Sequence, residues 1–129
     1  MVYKFVEATS LKEGNYLIID DAPCVLKRID ISKTGKHGAS KVRIEAIGII
    51  DGKKRIAVMP GHEKVGVPLI EKKRGQILSI FEKKANVMDL DSFETFDMII
   101  DEEALGKISE GDNVEYWDVE GVKIVKRRI

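Results

Sequence analysis

Along most of the chain, apolar and polar residues alternate with a period of two. The apolar positions are rich in Val and Ile, the pattern of strands with one buried face. In the first half this predicts strands at residues 3–8, 16–20, 24–31, 41–50 and 55–59. Gly, Asn, Asp and Pro separate them at 12–15, 20–23, 32–40 and 51–54. The Asp51-Gly52 pair predicts a tight hairpin, because a two-residue type I′ turn needs positive φ. In the fourth strand Val42, Ile44 and Ala46 share one face, and the apolar set then moves to Ile47 and Ile49, which predicts a bulge or sharp bend near residues 46–48. The core expected for this half is Leu11, Ile18, Val25, Ile29, Ile44, Ile56 and Val58.

Pro60, Gly61, Gly66 and Pro68 crowd one short stretch and predict a stiff, irregular connector, placing a boundary between domains 1–68 and 69–129. Beyond it the alternation predicts strands at 69–70, 76–83, 86–90, 95–100, 113–119 and 123–128, the last two meeting at Glu120-Gly121. Residues 101–108 open on Asp101-Glu102-Glu103, carry a small apolar face and reach Lys107, the profile of one short helix. Ile77, Ile80, Phe81, Val114, Trp117, Val119 and Ile124 are the expected core here. The fold class is therefore all-β, and these short strands with one short helix suit a small oligonucleotide-binding (OB) barrel.

A length of 129 residues fits one ordinary domain or two very small ones, and leaves no room for a large enzyme with a deep cleft. With 43% apolar and 34% charged residues, the chain reads as folded rather than disordered. Its apolar runs fall far short of the roughly 18 to 20 residues that span a bilayer, so no membrane partner is expected. The first residues alternate instead of forming an apolar export signal, so the expected location is cytoplasmic. Cys24, the single cysteine, excludes an internal disulfide. Net charge is zero, but residues 1–68 hold twelve basic against eight acidic groups and residues 69–129 ten against fourteen. Such asymmetry hints at nucleic-acid contact by one half, although an ordinary solvated surface explains it as well.

The most unusual segment is Ser32-Lys33-Thr34-Gly35-Lys36-His37-Gly38-Ala39-Ser40-Lys41, which lies between two apolar strands and holds no acid. Gly35 and Gly38 bracket Lys36-His37, so the backbone on either side can take positive φ and present Lys36 at the apex of a narrow finger. A solvated hairpin kept soluble by its lysines is the plainer alternative. A phosphate-binding P-loop is not supported: the position of its first glycine holds Asp30, the residue after Lys36 is His37 rather than Ser or Thr, and a strand follows.

Lys33-Thr34-Gly35-Lys36-His37-Gly38, followed by a small residue and then Ser40-Lys41, resembles the modification loop of the translation factor 5A family, the hypusine-containing factors. Resemblance extends to Leu11-Lys12-Glu13-Gly14, to the strand at 24–31 and to Glu115-Tyr116-Trp117, and so covers essentially the whole chain. The archaeal branch is the nearer likeness, and bacterial elongation factor P is a more remote relation. Ala39-Ser40 stands where eukaryotic members usually carry a second histidine, which fits that branch and leaves the lysine in place.

The resemblance implies an N-terminal SH3-like barrel carrying the loop, and a C-terminal OB-fold. It implies that Lys36 receives an aminobutyl group from spermidine through deoxyhypusine synthase, with hydroxylation as a further step. A lysine is a point charge on a flexible stem, and lengthening it gives a slender polycation able to reach phosphates in a crevice. In the family this side chain steadies the P-site transfer RNA at the peptidyl-transferase centre of the ribosome and helps difficult peptide bonds, such as those in proline runs. On that reading the chain is not an enzyme, works as a monomer, and binds no cofactor beyond the covalent aminobutyl group. Gly35 and Gly38 would shape the loop, while Lys33, Thr34, His37 and Lys41 would meet RNA or the modifying enzyme.

Other residues offer less. Cys24 sits in an apolar strand and reads as a buried thiol rather than a nucleophile. His37 and His62 are the only histidines and have no metal-ligand spacing, so neither a metal site nor a catalytic residue is expected. The acidic run of Asp89, Asp91, Glu94, Asp97, Asp101, Glu102 and Glu103 reads as a solvated face. Tyr116 and Trp117 are adjacent and must face opposite ways, so at least one belongs to the core. The second half would dock through local basic patches at Lys72-Lys73-Arg74, Lys83-Lys84 or Lys126-Arg127-Arg128. The competing class is a single-strand RNA-binding adaptor in which Lys36 stays unmodified and arginine can replace it.

Overall fold

The computed structural model describes residues 2–34 and 39–129. The chain divides into two compact units, Met1–Leu69 and Ile70–Ile129. Both are built almost wholly of strands, as the alternation requires: an SH3-like barrel and then an OB barrel.

In the first unit β2 (Tyr16–Ile19), β3 (Ala22–Thr34), β4 (Ala39–Gly48) and β5 (Lys54–Pro60) form a four-stranded sheet in sequence order. A second sheet pairs β1 (Val2–Glu7) with β6 (Lys64–Pro68). Half of the expected connector is therefore a strand: Val65 and Pro68 are buried, and Gly66 and Pro68 are absorbed at a sheet edge, where a missing N–H costs no ladder bond. β2 and β3 join through Asp20-Asp21, both at positive φ (50° and 62°), a conformation that Asp tolerates better than most residues.

The core of this unit contains Leu11, Leu17, Ile19, Cys24, Leu26, Val42, Ile44, Ala46 and Val65. Leu11 and Ile44 were expected there. Ile18, Val25 and Ile29 are half-buried, while Ile56 and Val58 are about half exposed and Ala57 and Met59 turn inward in their place. Residues 56–59 are all apolar, so a period of two cannot say which face is buried. The bulge falls on β3, not β4: the register slips between Leu26 and Arg28, opposite Ala46 and Glu45, leaving Lys27 as the extra residue. Nor is Asp51-Gly52 a two-residue hairpin. The loop between β4 and β5 is longer, because Asp51 turns back to bind the Arg55 guanidinium through both oxygens, at 3.0 and 2.8 Å.

In the second unit β7 (Ile70–Phe81), β8 (Lys84–Asp89), β9 (Thr95–Ile100), β11 (Val122–Arg128) and β10 (Asn113–Val119) close into a barrel, β10 returning to β7. β9 and β11 are its parallel pair. The first 12 residues of this unit form one strand, so 69–70 and 76–83 belong to a single element whose charged middle, Glu71 to Arg74, pairs with β10. Gly75 lets β7 turn the barrel corner, since a Cβ there would lie 2.4 Å from Val87 Cγ1 and 3.3 Å from the Tyr116 ring. Residues 101–108 form consecutive turns instead of a helix. Ala104 and Lys107 donate three residues back, only Leu105 reaches four residues back, and Gly106 at φ 76° stops the coil. Ala104 and Ile108 still point into the core, which explains the helix-like apolar face. Glu120-Gly121 forms the two-residue hairpin, both residues at positive φ. Ile77, Val114, Trp117, Val119 and Ile124 are buried, Ile80 is half-buried, and Phe81 is 77% exposed.

Candidate functional site

The β3–β4 hairpin outruns the sheet that supports it. β5 follows β4 only as far as the pair Lys41↔Pro60. Beyond it the two pairs Lys33↔Ser40 and Thr34↔Ala39 continue as a two-stranded arm, reaching roughly 7 Å past the third strand at about 3.4 Å per residue. Lys33 and Lys41 are exposed. Gly35, Lys36, His37 and Gly38 lie outside the described residues.

The root of the arm is clamped. Gly61 donates its N–H to the Ser40 carbonyl at 2.9 Å, and its own carbonyl accepts the N–H of Thr9. Ala8, in the 3-10 turn Ala8–Ser10, donates to the Glu63 carbonyl at 2.9 Å. Gly61 is required because a Cβ would lie 1.9 Å from Ser40 Oγ and 2.7 Å from Thr9 Cγ2.

Behind the arm, cations are arrayed on the outer face of β3, β4 and β5. Glu45 accepts from Arg43 Nη1 at 2.8 Å and from Lys54 Nζ at 2.9 Å, and Arg28 Nε lies 3.2 Å from Asp30. Hydrogen bonds from Lys54 and then Arg43 hold the Glu45 carboxyl at about 2, well below the usual carboxylate range. The three cations are more exposed than the Glu45 carboxylate tucked beneath them, and with Asp30 half exposed beside Arg28 the group carries one cation more than carboxylates.

Elsewhere the candidates fall to structural roles. Cys24 is fully buried, its Sγ donating to the Ala22 carbonyl at 3.3 Å, and burial pushes the thiol above its ordinary range. His62 is exposed. Among the described residues no group of His, Cys, Asp and Glu is placed to hold a metal, and no helix is long and apolar enough to cross a membrane. Tyr116 is core, but Trp117 is not an open stacking platform. It is only 7% exposed, with the Lys72 and Lys126 ammonium groups each 4.6 Å from its ring centre.

Asp89 departs from the solvated-face reading of the acidic run. It is 5% exposed, accepts the Tyr116 hydroxyl, and accepts the N–H groups of Asp91 and Ser92 at 2.8 Å each. The Tyr116 hydrogen bond lowers its pKa against the opposing effect of burial. The sequence signal was Asp89-x-Asp91-Ser92, an Asx-turn pattern at a strand end.

Comparison with known proteins fixes the family. A family described as translation initiation factor 5A-like, N-terminal, matches residues 4–63, which include the whole arm. Translation initiation factor 5A of Thermococcus sibiricus is 46% identical over 126 residues, covering 94% of this chain and 91% of the relative. The chain belongs to the translation initiation factor 5A family. The Archaeoglobus fulgidus factor 5A is 45% identical, covering 95% of each chain. Among solved structures, eukaryotic translation initiation factor 5A from Methanococcus jannaschii matches with a TM-score of 0.90 and 40% identity, over 98% of this chain and 94% of that one. A factor 5A family protein from Naegleria fowleri matches with a TM-score of 0.79 at 28% identity, over 99% of both. A role as a translation factor follows from membership in the 5A family.

Proposed function

We propose that the chain acts on the ribosome by presenting a modified Lys36 at the peptidyl-transferase centre, where it steadies the P-site transfer RNA and promotes difficult peptide bonds such as those in proline runs. The observation that carries this reading is the clamped arm: a hairpin that outruns its sheet, with the segment containing Lys36 between its last pair, Thr34 and Ala39. A rigid root matters, because a catalytic complex gains from a group held in place more than from one that must be ordered on arrival. The chain supplies orientation and the ribosome makes the bond, so no catalytic residue is assigned to it. Deoxyhypusine synthase would add the aminobutyl group from spermidine, with Lys33, Thr34, Gly35, His37, Gly38 and Lys41 as the surrounding recognition surface.

Replacing Lys36 with arginine in the native cell tests this. Arg keeps the charge but cannot accept the aminobutyl group, so the Lys36→Arg strain should stall at proline runs, as read by ribosome profiling. Normal passage through those runs would refute the proposal.

A further inference from the structure

Of the three basic patches in the second unit, two have two of their three cations engaged within the chain, leaving Arg74 and Arg128. Lys126 lies against Trp117 and 3.6 Å from Asp101, and Arg127 binds Glu115. Lys72 also lies over Trp117, and Lys73 is 3.9 Å from Glu71. The third patch is different. Lys83 and Lys84 are exposed and make no ion pair among the described residues. They sit at the two-residue turn that joins β7 to β8, where Phe81 pairs with Lys84 and is 77% exposed.

The turn is a fixed element. Its first residue, Glu82, is held at φ 57°, and the Lys83 carbonyl accepts the Ile100 N–H at 2.9 Å, tying the turn to the end of β9. An exposed aromatic ring beside unpaired cations is the combination that stacks a base and neutralises its phosphates. The other exposed phenylalanine of this barrel, Phe93, is 70% exposed at the opposite end of β8 but stands between the exposed carboxylates of Asp91 and Glu94, which would repel a phosphate chain. Glu82 also exposes a carboxylate beside Phe81, but Lys83 and Lys84 outnumber it, whereas the charged neighbours of Phe93 in the loop are acids alone.

We infer that the β7–β8 turn is an RNA contact of the second unit: Phe81 stacks on an unpaired base while Lys83 and Lys84 meet the flanking phosphates. The inference deepens the proposed ribosomal role and rests on it for the RNA encountered in the cell. Its test uses the full chain with Lys36 unmodified, so failure of the Lys36 reading leaves the result standing.

Fluorescence anisotropy with a labelled single-stranded RNA of about 12 nucleotides should show salt-dependent binding. Phe81→Ala should weaken it by at least about fivefold, with no loss of thermal stability because the ring is exposed. Lys83→Gln with Lys84→Gln should make the slope of log affinity against log salt shallower by about 1.4, or about 0.7 per lost phosphate contact. Phe93→Ala should change neither quantity. The inference is overturned if the parent chain does not bind this RNA, or if Phe81→Ala binds as tightly as the parent.

Discussion

Ser40 and Gly61 meet so closely that the serine hydroxyl fills the space a side chain on residue 61 would need: a Cβ there would lie 1.9 Å from Ser40 Oγ. This contact joins the arm to the body of the first unit at the point where β5 stops supporting it.

Gly61→Ala should therefore destabilise the protein by about 1–3 kcal/mol, the usual cost of forcing extra volume into a packed site, as measured by chemical denaturation. Adding Ser40→Ala should recover only part of the loss, because Thr9 Cγ2 would still lie 2.7 Å from the new methyl.

Tyr116→Phe removes one donor from a buried carboxylate and should cost about 1–3 kcal/mol at pH 7. Asp89 is held below its ordinary pKa, so the stability it contributes is present above the unfolded value, about 3.9, and is lost as pH falls through the folded one. The difference between parent and variant should shrink over that acid range. Denaturation curves collected from pH 7 downward would show a constant gap if Asp89 were not ionised in the fold.

Glu45 should protonate at about 2, against about 4.3 for an unperturbed glutamate. Removing its first partner with Lys54→Ala should raise the midpoint toward the ordinary value, and Arg43→Ala should raise it less. Its contribution to stability is complete above the ordinary value and fades as pH falls toward 2. NMR titration of the Glu45 carboxyl carbon reads this directly, and an unshifted midpoint in both variants would remove the cation array as its cause.

The all-β class, most of the strands and the terminal hairpin were legible because β-branched alternation and Gly or Asp turns are local signals. Burial parity was not legible in β5, where Ile56, Ala57, Val58 and Met59 offer an apolar residue to either face. β6 was hidden because its Gly66 and Pro68 are breakers that pairing with β1 tolerates at an edge. The Asx turn of Asp89 has a local signal, but its hydrogen bond to Tyr116, 27 residues away, does not. The loop around Lys36 was legible as a motif, whereas the clamp at its root needed Thr9, Ser40 and Gly61 to be brought together from three places in the chain.

The central claim rests on the chemistry of one side chain, and peptide mass spectrometry across residues 33–41 tests it most directly. The protein should be purified from its native cells, because a foreign host can lack the modifying enzyme. An aminobutyl addition on Lys36, with or without one further oxygen, is the predicted result; a wholly unmodified Lys36 would contradict the account.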